Sequence, residues 1–195
     1  MLFAMYKPFG VLSQFTADGS SHRSLAEFGL PAGVYPIGRL DADSEGLLLL
    51  SNEAALNQRL LNPRHAHPRE YWAQVEGIPT PDTLRRISQG GLEIQGHRTL
   101  PCRVWMLSGT DAEAQIATLP ERVPPVRFRR TIPTAWIALE LTEGKNRQVR
   151  RVTAAVGFPT LRLVRVRIGS LMLPMTKPGT WRELTMHERM QVLHP

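Results

Sequence analysis

Cysteine occurs once in this 195-residue chain, at Cys102. A single thiol builds neither a disulfide framework within the chain nor a cysteine-based zinc site. Its apolar surroundings read as packing, and such sparing use of cysteine fits a reducing cytoplasm. Long apolar runs are missing as well. Runs such as Met1–Tyr6 and Leu47–Leu50 are far below the roughly 20 residues that a membrane-spanning helix needs. The opening MLFAMYKPFG meets Lys7-Pro8 before a signal-peptide core could form. Internal repeats and low-complexity blocks are absent, and so are the phosphate-loop, dinucleotide-fingerprint and nucleophile-elbow patterns of glycines. Lysine is scarce, with only Lys7, Lys145 and Lys177.

What the chain does have is arginine. Lys and Arg total 24 against 17 Asp and Glu, giving a net charge of +7 and a pI near 10.5. Such a balance points to a polyanionic partner, nucleic acid above all. Arginine suits that role because its planar fork grips phosphate with two hydrogen bonds and stacks on bases. A hydrophobic fraction of 42% supplies a real core. The length suits one domain, or two small lobes sharing a core.

The patterning alternates between helix and strand. Residues 2–6 read as a buried strand, 11–15 as a second, 24–28 as a helical turn ended by Gly29, and 34–37 as another strand. The leucines of GRLDADSEGLLLLSN (38–52) do not alternate with polar residues, so that strand is buried on both faces. Asn52 is expected to cap a helix over 53–61. Residues 71–77 read as a strand, and 80–89 as a helix with Pro81 at its first position and Gly90-Gly91 behind it. Short strands are expected at 92–94, 102–107 and 114–118. A basic, proline-rich loop follows at 119–133, then a strand at 136–141 and a helix from KNRQVRR to Gly157. LRLVRVRIGSLML reads as strand–turn–strand with Arg162, Arg165 and Arg167 along one face. Together these predict an α+β fold on a mixed, largely antiparallel sheet.

Three constellations could carry chemistry. Arg39 and Asp41 stand two apart, just ahead of a rigid buried strand, where a carboxylate is well placed as nucleophile or base. The competing reading is a turn in which Asp41, Asp43 and Ser44 cap backbone amides. In KNRQVRRVTAAV, Val149, Val152 and Val156 share one face while Arg147, Arg150 and Arg151 take the others. Cations in the first turns oppose the helix dipole, and that conflict suggests phosphate binding or a carboxylate partner elsewhere. Tyr71 at the start of a strand could stack on a base or fill the core. His65 and His67 lack a third nearby ligand and read as a solvated loop.

These stretches resemble, in order and over about residues 2–185, the motifs of the RsuA-type ribosomal RNA pseudouridine synthases. YKPFGVLSQ is similar to the family's lysine–proline–glycine strand, GRLDADSEGLLLLSN to its aspartate motif, REYWAQVEG to its tyrosine motif, and LTEGKNRQVRRVTAAVGFPTLRLVRVRIG to its arginine motif and following strand. PPVRFRRTIPTAW resembles the branch that acts on the large subunit. Arg69 departs from the lysine that often precedes the tyrosine, with the charge kept.

The resemblance implies a single catalytic domain over 1–195, built as two sub-lobes around an RNA-binding cleft, and no separate N-terminal S4 domain. It implies conversion of a flipped-out uridine to pseudouridine in ribosomal RNA, most closely 23S. It implies no cofactor and no metal; no membrane partner is expected, the cytoplasm is the expected location and a monomer is the default expectation. Asp41 would be the catalytic aspartate, Arg150 the arginine that pairs with it, Tyr71 the residue packing on the base, Leu163 the apolar residue closing the pocket, and Arg39 a basic residue near the flipped nucleotide. A non-catalytic RNA-binding or ribosome-assembly role on the same scaffold is the rival reading. Asp41 separates the two, because a binding module has no need of it.

Overall fold

The structure, a computed structural model, describes residues 1–62, 66–127 and 129–194. In chain order its elements are β1 (Leu2–Lys7), β2 (Tyr35–Pro36), β3 (Glu45–Ser51), α1 (Ala54–Leu61), β4 (Arg69–Glu76), α2 (Pro81–Ser88), β5 (Glu93–Ile94), β6 (His97–Arg98) and β7 (Arg103–Met106). Then come α3 (Thr110–Ala117), β8 (Thr134–Leu141), α4 (Gln148–Ala155), β9 (Thr160–Ile168), β10 (Leu171–Met172), β11 (Trp181–Glu183) and α5 (Met186–Leu193). The expected α+β class holds, with mostly antiparallel pairing. The chain divides into two compact units. One joins Met1–Arg69 to Val164–Pro195, and the other is the unbroken stretch Glu70–Leu163.

In the first unit the strands run β11-β1-β3-β9, with β2 added on β3 and β10 on β9. β1 lies antiparallel to β3, with Lys7 opposite Gly46, while β3 and β9 pair in parallel at Glu45–Val164 and Gly46–Arg165. All seven residues of β3 are buried. Leu47 and Leu49 face a core built with Leu2, Ala4, Leu56, Leu60 and Val192. Gly46 has a φ of 101°, and a Cβ there would stand 2.3 Å from the Arg165 carbonyl oxygen. Only glycine lets the two backbones meet.

In the second unit the order is β9-β4-β8-β7. Alternate residues of β4 and β8 (Ala73, Val75, Ile137, Leu139) turn toward a core shared with Ile87 of α2 and with Val149 and Val152 of α4.

Several local expectations change. Residues 11–15 form no strand; a single bridge joins Val11 to Arg23. Asn52 does not cap α1. The cap position is Glu53, and the Asn52 side chain accepts instead from the amino terminus at 2.9 Å. Residues 114–117 lie in α3 and Thr118 caps its end, in place of a strand, which suits a segment of alanine, glutamate and glutamine with Asp111 and Glu113 in its first turn.

Candidate active site

Asp41 lies in the loop that enters β3, and the backbone around it is held at three successive residues. Ser13 Oγ donates to the Leu40 carbonyl at 2.8 Å and accepts from the Leu40 amide at 3.0 Å. The Asp41 carbonyl accepts from the Ser44 amide at 3.0 Å, and the Ala42 carbonyl accepts from the Gly10 amide at 2.7 Å. Ser13 and Leu40 are buried, Asp41 is half-buried and Arg39 is exposed. The loop therefore presents a carboxylate and a free guanidinium from a backbone with little freedom, as a reacting group requires.

Lys7, at the end of β1, is fully buried beneath this loop. Its Nζ donates to the carbonyls of Val11 at 2.6 Å, Pro8 at 2.9 Å and Ala42 at 3.4 Å, so all three ammonium donors have acceptors. Burial pulls its pKa down to about 7, against the opposing pull of Glu45, Asp43 and Asp41; Arg165 adds to the lowering. Arg165 is itself buried and donates from Nε to the Leu47 carbonyl at 2.8 Å. The neighbourhood of Asp41 is thus a cluster of three acids and two interior cations.

The second unit carries the other expected residues. Tyr71 on β4 is half-buried and packs on the core that contains Leu163, which is 4% exposed. Arg150 on α4 is half-buried, and its Nη1 donates to the Thr160 carbonyl at 3.1 Å. The turn leading into α4 is shaped by Gln148. Its side chain is buried, donates to Glu143 at 2.5 Å and accepts from the Lys145 amide at 3.0 Å. Arg147 takes a left-handed φ of 52° just before the helix, a conformation rare outside glycine and sustained here by that brace. Arg39 and Asp41 thus share one loop of the first unit, while Tyr71, Arg150 and Leu163 belong to the second.

The bracing residues Lys7, Ser13 and Gln148 escaped the sequence reading as parts of a site. Lys7 had a signal, an isolated lysine ending an apolar strand. Ser13 had none, because its partner is 27 residues away. The arginine row of β9 is also reassigned. Arg162 and Arg165 are buried, and Arg162 donates to the Pro120 carbonyl at 2.7 Å, so these side chains tie the interior together instead of facing solvent. Arg69 likewise donates to the Leu60 carbonyl at 2.9 Å. His67 is buried, not solvated; His65 lies outside the described residues. Among the described residues no three His, Cys, Asp or Glu side chains gather as a metal site would require, and no helix is long and apolar enough to cross a membrane.

The family model described as RNA pseudouridylate synthase matches residues 1–155. A Xanthomonas campestris protein named ribosomal large subunit pseudouridine synthase E is 51% identical over 183 residues, covering 93% of this chain and 94% of its own. A Vibrio vulnificus protein of the same name is 47% identical, covering 92% and 73%. Ribosomal large subunit pseudouridine synthase B of Bacillus subtilis is 35% identical, covering 95% and 68%. The fold is similar to a crystal structure of a pseudouridylate synthase, with a TM-score of 0.77, 21% identity, and coverage of 98% of this chain and 73% of that one. With a family model matched over most of its length and relatives this similar across nearly all of it, the chain belongs to the RNA pseudouridylate synthase family.

Proposed function

We propose that this protein converts one uridine of large-subunit (23S) ribosomal RNA to pseudouridine in the cytoplasm, as a monomer whose two units act as one catalytic domain. The substrate assignment is supported by the 51% identity to a relative named for the large subunit. The observation that carries the chemistry is the clamped loop holding Asp41 half-buried beside the exposed Arg39.

The uridine leaves its stack and enters the site, which costs a few kcal/mol of unstacking. Arg39 holds the backbone of the flipped nucleotide. Asp41 acts at the ribose, as nucleophile or base, while the N1–C1′ bond breaks. The uracil then turns so that C5 bonds to C1′. C5 loses its proton and N1 gains one, so the atoms balance without a co-reactant. Tyr71 packs on the base through this turn, backed by Leu163, and Arg150 is the arginine assigned to the same reaction.

Mapping pseudouridines by carbodiimide modification and primer extension tests the whole reading. A strain lacking this protein should lose one 23S site. Wild type should restore it, and Asp41→Ala should not, although the purified variant stays folded and binds RNA. Restoration by Asp41→Ala would overturn the assignment of chemistry to that carboxylate.

A further inference from the structure

We propose that a depression on the second unit, roofed by the 119–133 loop, is an RNA subsite that takes one unpaired nucleobase of the substrate, separate from the isomerising uridine. It rests on the reading that this protein acts on RNA.

The described residues of the loop are held by its own arginines. Arg122 donates to the carbonyls of Pro124 at 2.8 Å, Pro125 at 3.0 Å and Leu161 at 3.4 Å. Arg162 holds Pro120 from β9, and the Gly77 amide donates to the Pro133 carbonyl at 2.7 Å. Residues 120–125 and Pro133 are thereby held in place. The basic residues left over, Arg127, Arg129 and Arg130, are exposed.

Beneath the loop lies a small depression open to solvent. Val126, Ile132 and Leu161 give it apolar walls. Gln74 and Thr134, bonded to each other at 3.3 Å, give it an amide and a hydroxyl. Arg129 stands at the mouth, paired with Glu76 at 2.9 Å, and Arg127 stands beside it. Apolar walls for a ring, a side-chain amide for its polar edge and guanidinium groups for the neighbouring phosphates match an unstacked nucleotide.

The subsite is not the surroundings of Tyr71. Ala73 and Val75 turn to the core on which Tyr71 also packs, so Gln74 and Glu76 alternate onto the opposite face of β4. That face carries a second feature suited to RNA. Val104 and Met106 of β7 pack on the core, which leaves Trp105 on the other side with the Arg103 guanidinium 5.6 Å from its ring centroid. Trp105 is half-buried and Arg103 exposed, and such a pair suits stacking against bases.

The test uses the full chain and a 23S RNA fragment substituted with 4-thiouridine. Cross-linked peptides are mapped, and KM and kcat are measured for wild type, Gln74→Ala and Arg127→Ala. Cross-links are expected within residues 119–134, and both variants should lose them while raising KM about fivefold to tenfold with kcat unchanged. Arg127 is exposed, so its variant gives an answer even if Gln74→Ala or a loop-releasing Arg122→Gln fails to fold. Unchanged KM and no cross-link in this segment, with pseudouridine still formed by wild type, would overturn the subsite alone. Cross-links here with no pseudouridine formed in any ribosomal RNA would instead overturn the function and leave the subsite standing.

Discussion

Ser13 and Lys7 show how much of the site depends on residues that never meet substrate. Ser13 Oγ bonds both polar groups of Leu40, the residue before Asp41. Removing that hydroxyl in Ser13→Ala leaves two interior backbone groups unmet. It should cost about 1–3 kcal/mol of stability, seen in urea unfolding, and lower kcat more than it raises KM because the carboxylate is no longer held in register. Lys7 gives a pH signature. Its folded pKa of about 7 lies below its ordinary value of 10.5. Between those values the unfolded chain binds a proton that the folded chain has released, so stability rises with pH; below about 7 both states are protonated and the contribution is flat. Cys102, whose thiol burial pushes up to about 11, acts in the opposite direction only above its ordinary 9.0. Urea unfolding at several pH values between 7 and 9 should therefore show wild type gaining stability, with Lys7→Met lacking the rise.

Among the elements, the join between β3 and β9 is the least tolerant. A Cβ at position 46 would strike the Arg165 backbone in a conformation that side chains rarely adopt. Gly46→Ala should destabilise by about 3 kcal/mol or more and lower the melting temperature clearly. The sequence announced β1, β3, β4, β8 and α2 because each has a run or period that a helix or strand alone explains, backed by Pro81 or a following glycine. Asp41 and Tyr71 drew notice for a related reason, a polar residue at the edge of an unmistakable strand, but the roles proposed for them come from the resemblance. What stayed hidden was set by distance. α3 was misread because eight residues with one strongly apolar side chain, Ile116, carry almost no period. The arginines of β9 were misjudged because their partners, Pro120 and Leu47, are 42 and 118 residues away, and nothing local shows that a carbonyl waits there.

At the scale of the molecule, the net charge of +7 counts the interior Arg162 and Arg165, and most of the other arginines stay at the surface. Binding to RNA should still weaken steeply as salt rises, as expected when phosphate contacts displace counterions. Filter binding at several salt concentrations measures this, and neutralising Arg127 should flatten the slope. The division of the chain has a temporal meaning as well. Glu70–Leu163 is one continuous stretch, whereas Met1–Arg69 shares its sheet with strands after Leu163. During synthesis the middle of the protein leaves the ribosome with all its partners, but β3, the strand that the Asp41 loop enters, waits for β9. A nascent chain stalled before β9 would hold the carboxylate on its local clamps alone, without the parallel strand that meets Gly46.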